Sequence, residues 1–216
     1  MRRFLILLTF VLLAGSAWMA FTVGEIAAAE AGVTVEKNIV YVHVPSAICA
    51  SLSFVVLLIA GIAYLKTGRP LWDYIGAASA EVAFIFATVL NATGCIFARA
   101  FWGYWWTPSP RLISSAILWF LCVAYLILRA GIPGPVRRAR ACAVFGIVAF
   151  LDVPLLFLSA RLIKDIHIAN VEFETASQGA AFGLSILGTL LLGLLLIWLK
   201  TDVLKCRAQL EEELID

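Results

Sequence analysis

Charge is scarce in this chain. Only 14% of its 216 residues are Asp, Glu, Lys or Arg, 63% are hydrophobic, and mean hydropathy is +1.00. Soluble domains carry about a quarter charged residues and close to half apolar ones. A water-soluble enzyme or binding module is therefore excluded, and little length is left for a separate soluble domain. Cysteine motifs are missing too. Cys49, Cys95, Cys122, Cys142 and Cys206 lie far apart, with no C-x-x-C pair, no C-x-x-C-H cofactor-attachment motif and no zinc spacing. Four of the five fall inside apolar segments, and all five read as small buried hydrophobes. There is no P-loop, so any ATP has to come from a partner. The net charge of +2 and the absence of a spaced basic motif give no support to nucleic acid as a partner. No period-two alternation runs over ten residues, which argues against a β-barrel, and no internal repeat is visible.

What is there is six apolar runs: 4–23, 42–65, 75–98, 112–128, 141–160 and 180–199. A bilayer core takes roughly 20 helical residues to cross. Backbone groups in lipid must be satisfied within the segment, so the runs are helices. Arg2, Arg3 and the small residues Ala27 to Ala29 resemble a cleaved signal, but 20 apolar residues exceed a signal core, and the run is read as the first transmembrane helix. Of the sixteen Lys and Arg residues, eleven fall on one side of this topology: Arg2, Arg3, Lys66, Arg69, Arg129, Arg137, Arg138, Arg140, Lys200, Lys205 and Arg207. Lys37, Arg99, Arg111, Arg161 and Lys164 fall on the other. The positive-inside rule puts both termini in the cytoplasm. The expected architecture is one all-α domain over residues 1–216, six transmembrane helices with an outer loop at 99–111 and a cytoplasmic tail at 200–216. That tail is read as a short charged helix ending in Glu211, Glu212 and Glu213.

The outer loop reads R-A-F-W-G-Y-W-W-T-P-S-P-R from Arg99 to Arg111. Five of the six residues Phe101 to Trp106 are aromatic, and the sixth is Gly103. An interfacial aromatic belt accounts for one or two such residues per segment end. A run this dense reads instead as a flat stacking surface for a large planar ligand. The two histidines of the chain fall on the same side: His43 in Y-V-H-V-P-S-A at the outer end of the second span, and His167 in K-D-I-H-I-A-N. Taken alone, each reads as a polar interfacial residue. Taken with the aromatic run they point to haem, a flat apolar macrocycle whose iron accepts imidazole on both faces. Arg99, Arg111 or Arg161 would pair with the propionates. Asp165 and Glu172 are the carboxylates near His167 in sequence, and an axial imidazole commonly has its second ring nitrogen held by a carbonyl or carboxylate; the sequence does not show which, if either, serves.

At these residues the chain resembles the haem exporter protein C family of cytochrome c assembly proteins. The resemblance rests on V-H-V-P-S-A around His43, on W-G-Y-W-W-x-x-x-x-R-L from Trp102 to Leu112, and on D-V-P-L-L-F-L-S from Asp152 to Ser159. It implies a bacterial inner-membrane protein that binds haem b transiently at its outer, periplasmic face. By position, His43 and His167 would be axial ligands, Trp102, Gly103, Trp105 and Trp106 the haem platform, and Arg111 a propionate or loop-positioning contact. Haem would pass to a membrane-anchored haem chaperone, beside ATP-binding-cassette transporter subunits, with membrane lipid as surroundings and no catalytic residue. The chain departs from the family where W-W-x-W-D-x-R becomes W-W-T-P-S-P-R, with Pro108 and Ser109 in place of a tryptophan and an aspartate. Ile168 also follows the second histidine where the family has Gln or Pro.

Alternatives from other classes are a haem–cytochrome c synthase-like enzyme, whose extra helices and large outer domain this chain lacks, and a haem-carrying subunit of a quinone oxidoreductase, which holds haem between facing helices. A haem-conducting permease is a further alternative, without a visible pathway. Glu81, Asn91 and Asp152 lie inside spans, and intramembrane polar groups normally face the bundle or a cavity. They read as interhelical hydrogen-bonding groups, with a proton or substrate pathway as the other reading, since neither acid has a basic partner within a span.

Overall fold

The computed structural model describes residues 2–22, 36–162, 173 and 175–214. These form α1 (Arg2–Thr22), a 3-10 turn (Glu36–Ile39), α2 (Val40–Thr67), α3 (Pro70–Trp102), α4 (Pro110–Gly131), α5 (Pro135–Ala149), α6 (Asp152–Leu162) and α7 (Ala176–Glu213). Six helical segments are long and apolar enough to cross a membrane: α1, α2, α3, α4, the pair α5–α6 and α7. The chain is a multi-pass membrane protein, all-α among the described residues.

Local chemistry sets the ends. Proline opens α3, α4 and α5, where its fixed φ fits the first turn and its missing N–H costs nothing. Gly68 closes α2 in the left-handed region at φ 65°, its N–H donating to the Tyr64 carbonyl at 2.8 Å. With only Gly68 and Arg69 between them, α2 and α3 form a tight antiparallel hairpin.

Among the boundaries that differ from the sequence reading are those of α3, the fifth span and α7. The third helix begins at Pro70 rather than Ile75, because Asp73 is not a solvent-exposed edge. It makes a bidentate ion pair with Arg129 near the end of α4, at 2.7 and 2.8 Å, both side chains largely buried. The fifth span is broken between α5 and α6. Pro154 cannot donate to the Phe150 carbonyl, and its ring crowds that group. Tighter i−3 bonds take over, Leu151 N–H to Val148 and Val153 N–H to Phe150, both at 3.0 Å. The charged tail is not a separate helix. It continues α7, which at 38 residues is about 57 Å long and outruns the ~30 Å hydrocarbon core.

The core gathers on α2, where Phe54 and Leu57 are almost fully buried against Ala83 and Phe86 of α3, Leu118 and Cys122 of α4, and Ile197 of α7. Small residues let the backbones close in, as they do in membrane bundles generally. A Cβ on Gly193 would collide with Cys49 Sγ, and one on Gly61 would stand 2.9 Å from the Ala143 carbonyl oxygen. The cysteines divide: Cys49, Cys122 and Cys142 are buried as expected, whereas Cys95 is half-buried and Cys206 exposed. Cys206 lies on the part of α7 that outruns the core, which is why it escapes burial.

The intramembrane polar groups also resolve. Asn91 Nδ2 donates to the Ser115 carbonyl at 3.1 Å, and Ser115 Oγ donates to Asn91 Oδ1 at 3.2 Å, joining α3 to α4. Glu81 does have a basic partner, contrary to expectation: Lys200 Nζ of α7 lies 2.7 Å from its Oε2. The pairing needed the packing of α7 against α3 to be seen. Asp152 differs: it is buried at the first turn of α6, and its Oδ2 has no hydrogen-bond partner among the described residues, so the expected interhelical bond is not seen there.

Candidate functional site

The start of α2, the end of α3 and the start of α4 meet at one end of the bundle. Pro45 shapes the first of these. It has no N–H for the Tyr41 carbonyl four residues back. Ser185 Oγ of α7 donates to that carbonyl instead, at 2.9 Å in a buried setting. The proline that interrupts the ladder thereby pins α2 to α7 beside His43.

His43 faces α3. Its Nδ1 lies 2.9 Å from Thr93 Oγ1. The Thr93 hydroxyl is itself directed at the carbonyls of Val89 (2.6 Å) and Leu90 (3.1 Å). A hydroxyl has one proton and two lone pairs. With that proton on a backbone carbonyl, Thr93 accepts from His43, so Nδ1 carries the hydrogen. In the neutral ring Nε2 is then the basic nitrogen, the arrangement of an imidazole that ligates a metal through Nε2. Gly94 completes the seat, since a Cβ there would stand 3.2 Å from His43 Cε1. The sequence reading missed both residues, although a signal exists. His43 lies 25 residues before Gly68 and Gly94 lies 25 residues after Arg69, so a tight hairpin sets them opposite one another.

Trp102 follows Gly94 by eight residues, about 12 Å along α3. The helix runs through Arg99 to Trp102, so the loop proper is 103–109, shorter than the expected 99–111. Gly103 ends α3 at φ 80°, a conformation that other residues adopt only at a cost, and its N–H donates to the Arg99 carbonyl at 3.2 Å. Arg99 Nη1 donates to the Gly103 carbonyl, and the guanidinium carbon lies 6.0 Å from the Trp105 ring centroid. Arg99 thus holds the loop. Trp102 is half-buried with its ring edge-on to Phe97 at 5.9 Å, and Phe97 stacks on Phe101 at 4.1 Å. Tyr104, Trp105 and Trp106 are 50%, 60% and 46% exposed, so the open aromatic surface is this triplet, while Trp102 is half-buried against Phe97.

Ser109 caps α4, its Oγ accepting from the Leu112 N–H at 3.4 Å, and Pro110 takes the first helical position. Aspartate is an equally good cap, so Ser109 opens this helix as an aspartate would, without the charge. Arg111 is half-buried in the first turn of α4. His167, with Asp165 and Glu172, lies outside the described residues.

Residues 1–214 match the family described as "Heme exporter protein C". Proteins of that name are similar to this chain. That from Bradyrhizobium diazoefficiens is 30% identical over 136 residues, covering 63% of this chain and 51% of the relative. That from Rhodobacter capsulatus is 28% identical over 189 residues, covering 82% and 76%. That from Escherichia coli K12 is 24% identical over 143 residues, covering 66% and 58%. The matched stretch thus spans about half the length of the Bradyrhizobium protein. With the family matched over nearly the whole chain, and its histidine and tryptophan motifs at one end of a six-span bundle, this protein belongs to the haem exporter protein C family.

Proposed function

We propose that this protein binds haem b transiently at the tryptophan end of the bundle and hands it on during cytochrome c biogenesis. His43 serves as one axial ligand through Nε2 and His167 as the other. Trp102, Gly103, Trp105 and Trp106 form the platform for the macrocycle, and Arg111 meets a propionate or positions the loop. The protein delivers haem and does not change its covalent structure. The recipient is a membrane-anchored haem chaperone, and the setting is a complex with ATP-binding-cassette subunits in the bacterial inner membrane, with the tryptophan end toward the periplasm.

The observation that carries this reading is the seat of His43: a threonine of α3 that accepts from Nδ1, on the helix whose outer end leads into an exposed aromatic triplet. An interfacial histidine of no particular role needs neither a dedicated acceptor nor a glycine to admit its ring. The test is the visible spectrum, with a pyridine haemochrome assay, of detergent-purified wild type, His43→Ala and His167→Ala. The expected result is a low-spin haem b spectrum that either substitution weakens or turns high-spin. Unchanged haem in both variants would sink the ligand assignment.

A further inference from the structure

At the other end of the bundle, α4 and α5 enclose an open groove of about 590 Å³. One stripe of α5 forms its floor, Arg137, Arg140, Val144, Phe145 and Val148, at spacings of three, four and one residues, and Leu128 of α4 closes the side. The groove is basic at one end and aliphatic along the rest. From Arg137 to Val148 is eleven residues, about 16 Å of helix, close to half of the ~30 Å bilayer core.

We propose that this groove seats an anionic phospholipid of the adjoining leaflet, its phosphate on Arg137 and Arg140 and one acyl chain along Val144 and Val148. Three observations commit it to that occupant. The first is charge: both arginines are exposed, and neither is in an ion pair among the described residues, where the carboxylates engaged are Asp73, Glu81, Asp202 and Glu211. The second is their position. Arg137 stands in the first turn of α5, which holds no acid, where a cation weakens the helix, and Arg140 follows three residues on along the same face. Neither gains from the helix dipole. A positive-inside bias explains basic residues at this end, but not two of them on the stripe that opens into an apolar groove. The third is the lining. The groove matches one leaflet in length and holds no imidazole, thiol or thioether, so it suits an acyl chain and offers nothing to an iron centre. Basic pockets between transmembrane helices are a known setting for anionic headgroups.

The experiment is native mass spectrometry of the full chain in neutral detergent, titrated with cardiolipin and, separately, with phosphatidylcholine. Wild type is expected to retain cardiolipin in preference. Arg137→Gln with Arg140→Gln weakens that retention by roughly fivefold for each arginine removed. Val144→Trp, which fills the groove and keeps every charge, also weakens it. Lys66→Gln with Arg69→Gln, which removes the same charge elsewhere at this end, leaves it unchanged. Equal retention of the two lipids by wild type overturns the proposal. So does a loss in the Lys66/Arg69 variant as large as in the Arg137/Arg140 one, an unaffected Val144→Trp, or displacement of cardiolipin by added haem.

Discussion

Thr93→Val removes the acceptor of His43 Nδ1 and keeps the shape of the side chain. Two magnitudes bear on it, and they differ. Interhelical hydrogen bonds inside membrane proteins average about 0.6 kcal/mol of stability, so the fold should lose well under 1 kcal/mol. Partners that orient a metal-ligating histidine are typically worth ten- to hundredfold in affinity, or about 1.4–2.7 kcal/mol. The geometry argues for the larger figure on haem. Without Thr93 the ring loses both its rotational restraint and the bond that keeps the proton on Nδ1. The assay is titration of the haem-free protein in detergent, followed by Soret absorbance, beside thermal unfolding of the same samples. The expected outcome for Thr93→Val is at least tenfold weaker haem binding with an unfolding midpoint near that of wild type, and Thr93→Ser should restore the affinity. Equal affinity in Thr93→Val would refute the tautomer argument. So would a loss that Thr93→Ser does not recover, since a hydroxyl is what the argument requires.

Ser185→Ala should cost roughly 1–3 kcal/mol, because the buried Tyr41 carbonyl is left unsatisfied. Adding Pro45→Ala returns an N–H four residues on, so the double variant should unfold nearer wild type than Ser185→Ala alone; additive losses in the thermal cycle would contradict this. Asp73→Asn strands the Arg129 guanidinium in a largely buried site, and a loss of roughly 3–5 kcal/mol is expected in denaturant unfolding. Replacing both Asp73 and Arg129 by apolar residues should cost less than the single change. Gly193→Ala sets a methyl against Cys49 Sγ and should cost roughly 1–3 kcal/mol, partly recovered by Cys49→Ala; an unchanged midpoint would mean that α2 and α7 have room to part.

Six apolar runs and the density of aromatics between two of them are properties of the chain alone. Lipid leaves a backbone no partner but itself, so the number of spans follows from hydropathy with little tertiary input. The histidine and tryptophan motifs stand out for a similar reason: two imidazoles and a tight cluster of tryptophans are local features of residue type that need no tertiary input to be seen. Helix ends were less legible. Asp73 and Lys200 look like boundary residues until each is seen beside its partner, Arg129 and Glu81, which lie 56 and 119 positions away in the chain.

The sequence by itself determined that this is a multi-pass helical membrane protein with a ligand-like aromatic surface and two candidate imidazoles. Hydropathy and residue type are local properties, and they suffice for that much. Only the tertiary structure decided that Thr93 and Gly94 seat His43, that Ser185 accepts the role Pro45 vacates, that Trp102 is half-buried against Phe97 while the triplet after it is exposed, and that Arg99 holds the loop. Each of these depends on which atoms of different helices come within about 3–6 Å, as hydrogen bonds and cation–π contacts do. That proximity is set by how the small residues on α2, α5 and α7 let their neighbours approach, and no single segment contains it.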